Sequence, residues 1–369
     1  MTAQPPSFTP RRLDAARHLL SPNHLRASFA LGRQPHLRNS LLAGLQAGLT
    51  VVIALPLFYL SPYAHLVGFA ALGALVALFG RFEPRAGRSR KVLLAALCQI
   101  GAVLFMSAVS WFGAGVMLQL LLLALACGVF FFITVTGRFG PPGALIFVFA
   151  AGAAQHPVTG GIEVFERSAA TAVVALLAWA ICLATEKLRH LPTPERPMPA
   201  EPPRPLDHRL IASARIVVGA GIALFASHSF GADHPIWAAM GALAVMQGPQ
   251  LHINMHRALQ RMAGAVLGAM LAWLILVQDP SVWAIIAAIF LLQLLTELVI
   301  GANYGLGQIF VTPMALLMSH LAAPGSSGAE MAPERVLDTL LGASVGIAVA
   351  VLLSTLDDRH HVATHLAKR

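Results

Sequence analysis

The sequence predicts an all-α polytopic membrane protein of about twelve transmembrane segments, arranged as two parallel six-segment repeats. Three observations carry this. Hydrophobic residues make up 57% of the chain and charged residues 11%, where an average soluble domain carries about 25% charged residues. The mean hydropathy is +0.72. The apolar residues fall into long runs, and the Lys and Arg residues cluster in the segments between them, which is the positive-inside pattern. A chain of 369 residues built this way has little left for a soluble domain. The net charge of +9 is explained by topology, so nucleic acid is not an expected partner; the lipid bilayer is.

Taken in order, residues 1–39 form a basic arm in which Arg11, Arg12, Arg17, Arg26, Arg33 and Arg38 stand against one acid, Asp14. Leu13, Ala16, Leu19 and Leu20 make a short helical stripe, so the arm is either a cytosolic amphipathic helix on anionic headgroups or a disordered basic segment. No signal peptide is expected, because the first apolar run starts near Ser40. The first transmembrane repeat covers 40–185, with apolar runs at roughly 40–60, 64–80, 91–110, 114–136, 142–155 and 168–185. Residues 186–209 are a proline-rich, charged cytosolic linker. The second repeat covers 210–356, with runs at roughly 210–227, 235–249, 258–277, 281–300, 306–321 and 335–355, and residues 357–369 are a cytosolic tail. A helix crosses squarely with about 20 apolar residues. The runs at 142–155, 235–249 and 306–321 fall short, which predicts broken or re-entrant segments.

Orientation follows from the loops. With the N-terminus in the cytosol, Arg81, Arg85, Arg88, Arg90, Lys91, Arg138, the linker cations, Arg257 and Arg261 are all inside. The outside receives Glu163, Glu166, Asp233, Asp279, Glu330 and Glu334, with Arg167 and Arg335 as its basic residues. Both termini are therefore expected in the cytosol. The repeat is visible as an ungapped offset of 168 residues that pairs Gly73 with Gly241, Gly80 with Gly248, Gly137 with Gly305, Glu166-Arg167 with Glu334-Arg335, and Thr171 with Thr339. Each half holds an even number of segments, so the copies are parallel. Cys98, Cys127 and Cys182 all lie in apolar runs and read as buried thiols.

The stretch Glu297–His320, ELVIGANYGLGQIFVTPMALLMSH, carries the polar groups that matter most. Polar side chains kept in hydrocarbon face a bundle interior or a water-filled path. Pro313 removes the donor that would satisfy the carbonyl of Ile309. Tyr304, Gln308 and Thr312 stand four apart on one ridge. They are candidate substrate contacts, or else glue between helices. Their first-half counterparts are Thr136, Gly140 and Ala144, so a site here would be asymmetric.

Glu297 is the acid expected inside an apolar segment, near its cytosolic end. It either carries a coupling proton or pairs with a nearby arginine. Arg257 and Arg261, behind His252 and His256, either gather an anion at a cytosolic mouth or only fix topology. His252 and His256 lack a third ligand, so no metal is expected. Trp237 reads as an interfacial anchor, and the Glu-Arg pairs as outer gates or helix N-terminal charges. No nucleotide-binding loop, His-Glu zinc motif or paired intramembrane acids occur, so no enzyme activity and no cofactor are expected.

His234–Ile275, HPIWAAMGALAVMQGPQLHINMHRALQRMAGAVLGAMLAWLI, and Glu297–Met318, ELVIGANYGLGQIFVTPMALLM, together resemble the fusaric acid resistance-like family of inner-membrane proteins, within the aromatic acid exporter superfamily. In that family a Trp-containing span, an arginine-bearing turn, a Gly-rich span and a Tyr…Thr-Pro span follow in this order. The resemblance implies an inner-membrane exporter of aromatic or other hydrophobic organic acids, driven by the proton gradient and in some members working with a periplasmic adaptor protein. Under it Arg257 and Arg261 would gather the anion, Tyr304, Gln308 and Thr312 would contact it, and Glu297 would take part in proton coupling. A passive organic-anion channel and a non-transporting membrane scaffold are the alternatives. The sizeable cytosolic domains of many members have no counterpart in the short proline-rich linker.

Overall fold

The computed structural model describes residues 32, 36–191, 205–248, 251–322 and 330–353. Most of the N-terminal arm, most of the proline-rich linker, the tail and the side chain of His252 lie outside the described residues. All regular structure among those residues is helical. This is what lipid demands of a single chain, since a helix satisfies its backbone polar groups internally.

Six helices form the first half: α1 (Leu37–Tyr59), α2 (Val67–Ala74), α3 (Arg85–Trp111), α4 (Val116–Thr136), α5 (Leu145–Ala153) and α6 (Gly161–Ala184). Six more follow: α7 (Leu206–Ser229), α8 (Ile236–Met246), α9 (Leu251–Leu276), α10 (Val282–Val299), α11 (Tyr304–Ala322) and α12 (Met331–Leu352). Short 3-10 turns at Ala64–Leu66 and Leu75–Leu78 extend α2 at both ends.

Among the described residues nine of these helices are long and apolar enough to cross a membrane; α2, α5 and α8 are not. Helices α5 and α8 lie in the runs at 142–155 and 235–249, whose shortness is expected. The run at 306–321, expected to be short, is part of a 19-residue helix with Pro313 inside it. That run leaves out Tyr304 and Gly305 at the start of this helix. Gly305, Gly307 and Gln308 are buried in the bundle, where hydropathy is a poor guide to helix length. Conversely, the run at 64–80, expected to be ordinary, yields only the short α2 and its 3-10 ends.

The short helices are short because they sit at the centre. Every residue of α2 and of α8 is buried, as are Ile146–Gly152 of α5. Lipid is met instead by long helices such as α4, whose Val116, Met117, Leu118, Leu121, Leu125 and Val129 are exposed. Packing partners are reciprocal between the halves: α1 lies on α10 and α7 on α4, α2 on α11 and α8 on α5, α2 on α6 and α8 on α12.

Glycines set the closest approaches. A β-carbon on Gly342 of α12 would lie 2.0 Å from the carbonyl oxygen of Ala238 on α8. Gly342→Val is therefore expected to separate α8 from α12 and cost about 1–3 kcal/mol or more. Thermal unfolding of the detergent-solubilised protein measures this; an unchanged midpoint would show that the crossing can relax.

Polar contacts between loops and helix ends gather at both ends of the bundle. At the face where α1 begins, Asn39 Nδ2 donates to the carbonyls of Arg81 (3.3 Å) and His190 (2.9 Å), and Lys91 donates to the carbonyl of Arg138. At the opposite face Ser110 Oγ donates to the carbonyl of His156 (3.2 Å), and Glu334 accepts from the backbone N–H of His234 (2.6 Å).

Candidate functional site

The crossing of α9 and α11 gathers the polar groups that the sequence singled out. Gly264 and Gly268 let the two backbones approach: a β-carbon on Gly264 would meet the carbonyl oxygen of Gly305 at 2.5 Å, and one on Gly268 would meet that of Ile309 at 2.8 Å. The carbonyl freed by Pro313 thus points at α9, where only a glycine fits. Into this crossing Arg261 extends from α9, 2% exposed. Its Nη1 donates to Tyr304 Oη (3.1 Å) and to Gln308 Oε1 (3.4 Å). Gln308 Nε2 in turn donates to Thr312 Oγ1 (3.2 Å). The expected ridge is therefore one hydrogen-bonded chain that begins at a guanidinium. Arg261 has no acidic partner among the described residues, and its Nε is buried without a hydrogen bond.

Arg257, one turn earlier on α9, is half-buried and does not join this chain. Glu297 stands apart from it as well. Its carboxylate forms a buried ion pair with Arg81 of the first half, with Gln293 Nε2 3.5 Å away. A β-carbon on Gly44 of α1 would lie 2.8 Å from Glu297 Cγ. Glycine there opens the space through which the glutamate reaches across. This is the pairing alternative raised for Glu297, and it ties α10 to the loop that follows α2.

A second polar cluster lies towards the opposite face. Trp237, expected as an interfacial anchor, is instead buried at 1% exposure. The His234 ring stacks on it (centroids 4.5 Å apart, planes 8° apart), and the Arg335 guanidinium carbon lies 5.4 Å from its centroid. An anchor needs one wet edge; here the ring is buried against a guanidinium and an imidazole. Glu334 bonds to His234 Nδ1 at 3.0 Å, which joins α12 to the turn before α8. Asp338, which the sequence reading did not single out, accepts from Ser227 Oγ (2.7 Å) and is 3% exposed. The Arg-x-x-Asp spacing inside an apolar run is the signal that could have found it.

The first-half equivalent behaves differently. Arg167 lies over Phe69 at 5.0 Å and donates to the carbonyls of His156 (3.0 Å) and Pro157 (2.9 Å) and to Glu163 Oε1 (2.6 Å). His156 lies in the loop between α5 and α6. Burial, with His234 and Arg167 nearby, lowers its pKa below 6.5. A neutral imidazole is thus favoured in the fold, and the unfolded chain binds the proton more readily. Stability is fully present above about pH 6.5, the ordinary imidazole value, and falls as pH drops from there towards the lower folded value. His156→Gln is expected to flatten this acid limb, which thermal unfolding between pH 5 and 8 would reveal.

Long apolar helices around a buried polar interior define a multi-pass membrane protein. Residues 222–349 match the family described as fusaric acid resistance protein-like. A stretch of 137 residues is 35% identical to "Uncharacterized membrane protein YvaC" of Bacillus subtilis (strain 168). That match covers 36% of this chain and 22% of the relative, so the chain spans about a fifth of the relative's length. No solved structure matches the chain. The matched segment includes α8–α11 complete, and with them both stretches on which the resemblance rests.

Proposed function

We propose that this protein is an inner-membrane transporter that exports aromatic or other hydrophobic organic acids, built as two parallel six-segment repeats with both termini in the cytosol. The observation that carries the reading is Arg261: a buried guanidinium inside a membrane bundle, hydrogen-bonded to neutral groups and without an acidic partner among the described residues. A charge left so in low dielectric costs several kcal/mol unless something anionic visits it. Tyr304, Gln308 and Thr312 supply donors and acceptors along the path of such an anion, and Arg257 lies on its approach. The reciprocal packing of the halves supports the repeat, and the basic loops support the orientation.

Proton drive is the coupling we assign. Glu297 would serve it only if its ion pair with Arg81 opens during the cycle. The test is benzoate flux in proteoliposomes under an imposed pH gradient. The gradient is expected to drive uptake, and Glu297→Gln to uncouple it. Flux that ignores the gradient in the unaltered protein would mean a passive anion channel; no flux would sink the transport reading and favour a scaffold. Thr312→Ala, which removes the last member of the polar chain, is expected to lower benzoate flux by about threefold to tenfold, the cost of one hydrogen bond of about 0.5–1.5 kcal/mol.

A further inference from the structure

Arg335 on α12 is a buried guanidinium that makes no hydrogen bond among the described residues. It is 1% exposed, and its Nε, Nη1 and Nη2 are all buried without a hydrogen-bond partner among the described residues. Asp338, three residues on, attracts it electrostatically, but no neighbouring acid hydrogen-bonds to it. Glu334 is held by His234, and Asp338 gives one oxygen to Ser227 while its Oδ2 is left unbonded. Arg261 lies within electrostatic reach, so two guanidinium groups share one buried region. Like charges in low dielectric repel strongly, which makes an intervening anion the cheapest way to hold both.

The first half shows what this position does when it is filled. Arg167, 168 residues earlier and over an aromatic ring in the same way, spends its donors on two carbonyls and the Glu163 carboxylate. At the same offset the second half has Met331 in place of Glu163. The carbonyl counterparts, Pro324 and Gly325, lie outside the described residues. The internal carboxylate has been replaced by a thioether while the guanidinium is kept.

The geometry points to a second anion site at Arg335, in series with Arg261 and nearer the opposite face, that takes the carboxylate of an organic acid where the first half carries its own. The forked guanidinium suits a carboxylate, which accepts two parallel N–H bonds. The Trp237 ring holds the guanidinium plane from behind. The ligand class rests on the proposed organic-acid reading; the existence of the site does not.

The experiment is equilibrium binding of benzoate to the purified full chain in lipid nanodiscs, with acetate and chloride as probes lacking the ring and the oxygens, compared across Arg335→Gln and Met331→Glu. Arg335→Gln is expected to weaken benzoate binding by roughly tenfold or more, the loss of a charge-assisted contact. Met331→Glu should do the same while raising the unfolding midpoint, because it restores the internal carboxylate. That variant keeps Arg335, so it decides the matter even if Arg335→Gln fails to fold. Unchanged benzoate affinity in Met331→Glu, or in a folded Arg335→Gln, would overturn the site. Chloride binding as tightly as the carboxylates would overturn the carboxylate assignment. Arg335-dependent binding without any flux in proteoliposomes would leave the site standing and remove the transport reading.

Discussion

Arg81→Ala should destabilise the folded protein by about 3–5 kcal/mol, the cost of stripping one partner from a buried ion pair. Arg81 is 6% and Glu297 2% exposed, so the carboxylate that is left cannot recover its hydration by turning outward. The pair joins residues 216 positions apart, one from each half, and its loss should loosen α10 from α1. Two buried charges seldom stabilise a fold beyond what a well-packed apolar pair would. Arg81→Met combined with Glu297→Met should accordingly recover most of the loss. Thermal unfolding of the unaltered protein, Arg81→Ala and the double variant in one detergent measures both effects. A double variant as unstable as Arg81→Ala would mean that the carboxylate, not the imbalance of charge, holds the helices together.

Arg261→Gln should lower organic-acid flux by on the order of 10- to 100-fold, since a hydrogen bond to a charged group contributes about 1.5–3 kcal/mol. Stability should change little or rise, because an unanswered buried cation is removed. This separates a ligand-binding role from helix glue: glue would lose stability first and flux only as a consequence. Arg261→Lys should not restore transport, as a single ammonium cannot reach Tyr304 and Gln308 while presenting a second donor to a carboxylate. Flux from Arg261→Gln equal to that of the unaltered protein would remove this residue from the path.

Much of the molecule is legible in order along the chain. Runs of apolar residues and the loops between them yield a helical membrane protein, since a lipid-facing helix must be apolar over most of its length. The offset that pairs Gly73 with Gly241 and Arg167 with Arg335 recurs in matching helices. The Tyr304, Gln308 and Thr312 ridge follows from helical spacing alone, and Gly264 and Gly268 mark the face of α9 that would lie against a neighbour. The resemblance to the fusaric acid resistance protein-like family is likewise legible in residues of the second half.

What the tertiary structure decided is which polar group meets which. Hydropathy reports how much of a segment can face lipid and says nothing of buried segments. Hydropathy therefore makes the central α2 longer than it is and α11 shorter, while the shortness of α5 and α8 is expected from it. Helix spacing puts Arg261 and Glu297 on ridges without saying what lies opposite. Only the crossing of α9 and α11 brings Arg261 to Tyr304, and only the reach of α10 towards the first half brings Glu297 to Arg81. The same holds for Arg335. Its repeat partner is plain from the sequence, but that its guanidinium is buried over Trp237 with no hydrogen-bond partner among the described residues depends on how α8 and α12 pack. In lipid the apolar pattern drives helices into the membrane; close backbone contact at small residues and the need to answer buried charge then choose their neighbours.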